Sequence, residues 1–458
     1  MEQDFEYSDS QEIKDMILRF EEITSSGNDP YFDIEDFEEI IDYYEDNQNI
    51  KHLNRALESA SRIHPQHNYF KLKKAQILAK NVKYHEAIKL LQSILQTEPN
   101  NYFARQNLAY IYSQQEKPKK AIEVYLESIE RGGDLRDCWL SIAMEYENMS
   151  KYEIALSYLK KILNRFPEED SALYEALFCY ESIENMDESI RFFQDFTEKN
   201  PYSAAAWFNL GISFTNLGQY EKAIDAFDFV IAIEEHYSSA YFNKGNALMN
   251  LEKYSEAIES FRLTFDYEPE DSIAYLYIAR CYENMDEFDA AIRNYFKSIE
   301  LHEKQWEAWA GIGIIYHQLG ENYKAIGFME EAANINKDNP EILLPFAAIL
   351  IDLEKYNQAQ ELMSNLLNKY NHYIDAWYML AEINILRGEY DEAETLLMKA
   401  MELFPEEKRL VFKTAEVMFL MQRIKTASEY LLMINIQSIE EMIFMKENPE
   451  LLDSFLQG

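Results

Sequence analysis

Residues 204–237, AAAWFNLGISFTNLGQYEKAIDAFDFVIAIEEHY, run straight into residues 238–271, SSAYFNKGNALMNLEKYSEAIESFRLTFDYEPED. The two stretches carry residues of one kind at matching offsets: Trp207, Leu210, Gly211, Phe214, Gly218, Tyr220, Ala223 and Phe227 in the first, Tyr241, Gly245, Leu248, Tyr254, Ala257, Phe261 and Pro269 in the second. The period is 34 residues, enough for two short helices and their turns. One such unit cannot bury its apolar face alone, so the period implies a stack of neighbours sharing one continuous core.

Projected in both directions, the same phase places Ala87, Ala121, Ala155, Ala223, Ala257, Ala291, Ala325, Ala359, Ala393 and Ala427, with Ser189 in the one gap. The eighth position of each unit is small as well: Ala75, Ala109, Ala143, Gly211, Gly245, Ala279, Gly313, Ala347, Ala381 and Ala415, with Leu177 the exception. Small side chains at both places let two helices cross closely while bulky neighbours fill the space beside them. Trp139, Trp207, Trp309 and Trp377 take the fourth position, and Tyr112, Tyr146, Tyr180, Phe214, Tyr282 and Tyr316 the eleventh. Pro99, Pro167, Pro201, Pro269 and Pro405 stop the second helix, because proline has no N–H to continue the ladder. The units run from 68–101 to 408–441, preceded by a degenerate one at 34–67 with Leu53 in place of alanine, which makes twelve. Pro345 inside a first helix predicts a bend or a delayed start, and Asn322 in an aromatic position adds to the irregularity expected at 306–373.

The pattern W-x2-L-G-x2-F, followed by A-x3-F and a closing proline, resembles the tetratricopeptide repeat (TPR) family. The resemblance implies an all-α fold, a right-handed α-solenoid of antiparallel helix pairs whose first helices line a concave groove. It also implies a non-catalytic scaffold or adaptor that holds a partner peptide or helix in that groove. The chain then divides into an acidic N-terminal arm with a capping helix (1–33), the array (34–441) and a C-terminal capping helix or tail (442–458). Within the arm, Ile13, Met16, Ile17 and Phe20 predict an amphipathic helix over Ser10–Thr24, and Ser438 to Glu441 reads as a capping box opening the last helix.

Composition narrows the function. The 82 Asp and Glu against 43 Lys and Arg give a net charge of −39, a field that repels phosphate backbones and anionic lipid headgroups, so neither nucleic acid nor a membrane is expected as partner. Residues 1–48 hold 17 acids against Lys14 and Arg19, which is either a solvated arm or a dock for a basic segment. Cys138, Cys179 and Cys281 form no metal spacing and suit a reducing compartment. No signal peptide or apolar run of 18 residues is present, and a cytoplasmic location is the expectation. The twelve glycines have structural roles and form no phosphate loop, and His64 and His67 lack a third ligand. No enzyme, cofactor or metal is expected.

The groove itself is where binding is expected. The fifth, ninth and twelfth or thirteenth positions of a first helix share one face, turned away from the small residues of the crossing. Leu140, Tyr174, Phe208, Phe242 and Leu276 occupy the fifth position, and Tyr110, Met144, Phe178 and Ile212 the ninth. They form either an apolar strip for a partner or packing between neighbouring repeats. Asn209, Asn243, Asn246 and Arg280 add polar groups, three of them asparagines at mid-helix, where that residue is a poor helix former. The predicted partner-binding set is Leu140, Met144, Tyr174, Phe178, Phe208, Asn209, Ile212, Phe242, Asn243, Asn246 and Arg280. Resemblance to family members that grip a terminal carboxylate through fifth-position lysines fails here, since no lysine stands at that position. Two other roles stay open: a self-assembling module, a homo-oligomer joined through the 442–458 tail, and an acidic holding chaperone for a basic protein.

Overall fold

The computed structural model describes residues 2–26 and 30–433. The described residues are helical with no strand, and from Ile34 onward the helices come in antiparallel pairs, a leading and a returning one; within 34–233, and again within 238–432, each pair packs on the next in sequence. The chain forms two compact units, Met1–Ile233 and Glu234–Gly458. The first holds the helix Glu2–Ser25 and six pairs, from Ile34–Asp46 with Ile50–Ile63 to Ala204–Asn216 with Tyr220–Ile233. The second opens with Ser238–Asn250 and Tyr254–Leu263 and continues to Lys408–Leu420 with Ile424–Leu432. The arm helix begins at Glu2, eight residues before the expected Ser10. The capping box at 438–441 and the tail at 442–458 lie outside the described residues.

The close crossing is real and tight. All ten phase alanines and Ser189 are fully buried. A Cβ built on Gly211 would stand 2.5 Å from the Phe227 ring, one on Gly245 2.7 Å from the Phe261 ring, and one on Gly313 2.6 Å from the Met329 sulfur. The bulky residue of the returning helix thus occupies the volume that a side chain at the eighth position would need. Ser189 is accommodated because its hydroxyl meets that of Ser213 at 2.8 Å, and Ser213 in turn donates to the Asn209 carbonyl at 2.8 Å. The fourth-position tryptophans have a second role: the indole N–H of Trp207, Trp309 and Trp377 donates to the carbonyl six residues earlier, Pro201, Glu303 and Asn371, at 3.0, 3.0 and 2.9 Å. This bond fixes the link between one pair and the next.

Every pair turns in the same way. Positive φ recurs at Gln48, Val82, Glu116, Ser150, Glu184, Gly218, Glu252, Asp286, Gly320, Glu354, Gly388 and Gln422, always 34 residues apart. The residue after each one donates back five residues, as Lys83 does to Leu78 at 2.8 Å and Lys117 to Tyr112 at 2.9 Å. This left-handed cap ties off the last carbonyls of the leading helix. Glycine occupies only three of these positions, so the other nine are held left-handed by the pairing around them.

One expected irregularity, a delayed start, is not found, and another appears outside 306–373. Pro345 lies within Pro340–Asp352, which starts in phase with its neighbours, so the helix is not delayed. The broken helix is Tyr254–Leu263, four residues shorter than most of its counterparts and continued by a 3-10 turn, Thr264–Asp266. The Thr264 hydroxyl donates to the Phe261 carbonyl at 2.6 Å and competes with the backbone ladder there, while Phe265 is drawn onto Tyr275, ring centres 4.8 Å apart.

Two substitutions test this packing. Gly211→Ala should destabilise the chain by roughly 1–3 kcal/mol through overpacking, whereas Gly327→Ala, in open space on the helix Asn322–Ile335, should stabilise it by about 0.5–1 kcal/mol. Urea midpoints of the two variants moving in the same direction would contradict the crossing. Val82 is β-branched, exposed and at φ 61; Val82→Gly should raise the melting temperature, the relief of left-handed strain exceeding the added chain entropy by about 0.5–1 kcal/mol.

Candidate functional site

Within the first unit, the leading-helix face is apolar and open. Tyr110, Met144 and Phe178, the ninth positions of Tyr102–Gln114, Leu135–Asn148 and Asp170–Ser182, are 52%, 48% and 47% exposed, and Tyr174 is 40% exposed. Leu140, Phe208 and Ile212 on the same face are half-buried. Phe208 lies 5.8 Å from the Phe227 ring, packed on its own pair. Asn209 departs from expectation: it is fully buried. The sixth position lies about 100° round the helix from the fifth, which turns it toward the neighbouring leading helix.

The second unit separates its predicted residues. Phe242 packs edge-on against Phe261 and Tyr277, both 5.3 Å away, and lines a hollow of about 270 Å³ together with Asn243, whose amide donates to the Ser239 carbonyl at 2.8 Å. Leu276 is buried. Asn246 is half-buried. Arg280 lines a different cleft of about 480 Å³, with Asn250, Glu283, Asn284, Trp306 and Gly311. Burial raises the Glu283 carboxyl, while the Tyr295 hydroxyl, donating at 2.5 Å, and the charge of Arg280 pull it back. The thirteenth-position amides Asn250 and Asn284 donate to their own helix, to the carbonyls of Asn246 and Arg280 at 2.8 Å each. Their donors are therefore used within the helix.

The sequence did not single out a pair of carboxylates at the foot of the first unit's strip. Glu147 and Glu175 stand side by side on adjacent leading helices, both half-buried. Burial, and next the charge of Glu175, push the Glu147 carboxyl up to about 7, although the Cys179 thiol donates to it at 3.4 Å. Among the described residues no lysine or arginine pairs with either glutamate. Cys179 is buried and its thiol is pushed far up, so it remains protonated and is no nucleophile. Among the described residues no three His, Cys, Asp or Glu side chains gather as a metal site requires, and no helix is long and apolar enough to cross a membrane.

Glu147 carries a pH dependence of defined sign. Its folded pKa lies above the unfolded value near 4.5, so its contribution is most favourable below that value and is lost as pH rises through about 7. Glu147→Gln should therefore leave stability unchanged near pH 4 and raise it at pH 8 by on the order of 1–2 kcal/mol, allowing for screening by solvent. Paired unfolding curves at the two pH values check this, and an equal effect at both would contradict it.

Sequence profiles described as tetratricopeptide repeat match residues 78–136, 204–237, 242–300, 316–383 and 350–410, together more than half of the chain. Among curated proteins, BBSome complex member BBS4 of Bos taurus is 32% identical over 93 residues, 20% of this chain and 18% of that protein. RNA polymerase-associated protein CTR9 of Saccharomyces cerevisiae is 34% identical over 86 residues, 19% of this chain and 8% of that protein. The matched stretches thus span less than a fifth of either relative. Among solved structures, the APC/C hetero-tetramer Cut9–Hcn1 aligns over 90% of this chain and 94% of that one, with 12% identity and a TM-score of 0.42. The C-terminal part of a TPR protein from Cytophaga hutchinsonii aligns over 51% and 98%, with 15% identity and a TM-score of 0.45. Period, helix pairs and profile matches agree along the chain, and the protein belongs to the tetratricopeptide repeat family.

Proposed function

We propose that the chain is a non-catalytic protein-interaction scaffold whose first unit holds a partner segment on the leading-helix strip around Met144, Tyr174 and Phe178. The observation that carries this reading is the exposure of Tyr110, Met144, Tyr174 and Phe178 on three successive leading helices, at 52%, 48%, 40% and 47%. Large apolar side chains repeated at equivalent positions of neighbouring helices form a continuous patch, which marks an interaction surface more often than a solvated one. Packed helices lie about 10 Å apart, the rise of about seven residues of an α-helix. A partner helix with apolar residues at that spacing would meet one ninth-position side chain per repeat.

Phe208 and Phe242 recede in this reading, because their rings are engaged with Phe227, Phe261 and Tyr277 inside the pairs. Arg280 belongs to a separate polar cleft in the second unit. Both curated relatives are named for the assemblies they join, which supports a scaffold and says nothing of the partner.

Affinity capture from native lysate, quantified by mass spectrometry, provides the test. A partner captured by the intact chain should be reduced tenfold or more by Met144→Ala with Phe178→Ala and retained by Leu126→Ala, an exposed residue of the returning helix Pro118–Glu130. Equal capture by all three proteins would overturn the placement.

A further inference from the structure

The strip is acidic as well as apolar, and the repeat itself shows what is missing. The three helices that carry the strip hold the acids Asp137, Glu145, Glu147, Asp170, Glu175 and Glu181 and only two cations, Arg105 and Arg136. Both cations are engaged elsewhere, Arg105 with Glu127 at 3.3 Å and Arg136 with Glu169 at 3.5 Å. Asp137 and Glu181 accept from neutral donors, the Tyr102 hydroxyl at 3.0 Å and the Asn216 amide at 2.7 Å. Glu147, which accepts from the Cys179 thiol, and Glu175 likewise have no countercharge, and these two stand side by side at the foot of the strip.

The same slot is filled from within elsewhere. Glu147 is the twelfth residue of its unit and Glu175 the sixth of the next; three repeats earlier those positions are Glu45 and Lys73. There the Lys73 ammonium lies between Glu45 and Asp42, 2.8 Å from the latter. Lys413 is again the sixth residue of a unit, buried between Glu382 and Glu416, 2.9 Å from the latter. The sixth position of the repeat thus provides a place for an ammonium group against carboxylates of the preceding leading helix. At 147 and 175 the internal cation is replaced by a second acid. Two half-buried like charges side by side are costly, as the raised Glu147 carboxyl records, and a cation arriving with a ligand relieves that cost.

We infer that the strip of the first unit takes an amphipathic helical segment of another protein bearing a lysine or arginine within its apolar face, the cation seating between Glu147 and Glu175 where Lys73 seats beside Glu45 in the earlier repeat. The inference rests on the strip being the docking surface. It adds the charge that selects among apolar helices, a role electrostatic complementarity commonly fills.

Two synthetic helical peptides of identical composition serve as probes, each with a leucine face and one lysine, placed either within that face or on the opposite side. Their equal net charge removes the general attraction to an acidic protein. In fluorescence anisotropy with the full chain, the peptide with lysine in the leucine face should bind roughly tenfold tighter than its isomer. Glu175→Lys, which rebuilds the Glu45–Lys73 arrangement, should abolish the difference and raise the melting temperature; Glu175→Gln should shrink the difference. Equal binding of the two peptides, or a preference that survives Glu175→Lys, overturns the cation slot. The strip itself still stands in that case if Met144→Ala with Phe178→Ala weakens both peptides. Binding by neither peptide, or no effect of that double variant, overturns the strip and the slot together.

Discussion

The crossing of two helices at a small residue governs everything else in the two units. Gly211 has no room for a Cβ because the Phe227 ring stands 2.5 Å from where it would be, and Gly245 and Gly313 repeat the arrangement with Phe261 and Met329. Dispersion and burial reward such contact only if the gap is closed to van der Waals distance. The small residue on one helix and the large one on the other are therefore a single constraint. Once it is met, the orientation of the pair is set, and with it which side of the leading helix faces away.

That orientation explains the division of labour among residues that look alike in sequence. Phe208 and Phe178 are both aromatic residues of leading helices, yet Phe208 packs on the ring of its own returning helix while Phe178 is 47% exposed. They differ by position in the unit, the fifth against the ninth, although the fifth-position Tyr174 is itself 40% exposed. The turn is constrained in the same sense. Nine non-glycine residues adopt positive φ because the returning helix must start where the crossing requires it.

Electrostatics is arranged on top of this frame. Between adjacent leading helices the sixth position of one repeat meets the ninth and twelfth of the repeat before it, so a charge at one place is answered at the other. Lys73 and Lys413 meet carboxylates there, whereas Glu175 meets Glu147. A net charge of −39 makes acid the ordinary residue of this surface; what distinguishes the 147–175 slot is that an acid, Glu175, stands at the position where Lys73 and Lys413 stand in their repeats.

The sequence by itself determined the period, the helix pairs, the small residues of the crossing and the apolar character of the fifth and ninth positions, because a 34-residue phase carries all of these as one-dimensional spacing, while the exposure of the ninth position was decided by the packing. Tyr110, Met144, Tyr174 and Phe178 were legible for that reason. Asn209 was not: one residue of helical rotation separates an exposed side chain from a buried one, and only the packed neighbour shows on which side it falls. Pro345 likewise suggested a disturbed helix, yet the break came at Thr264, where a hydroxyl competes for a carbonyl. The Glu147–Glu175 pair belongs wholly to the tertiary structure, since its members are 28 residues apart on different helices and become neighbours only when one repeat stacks on the next.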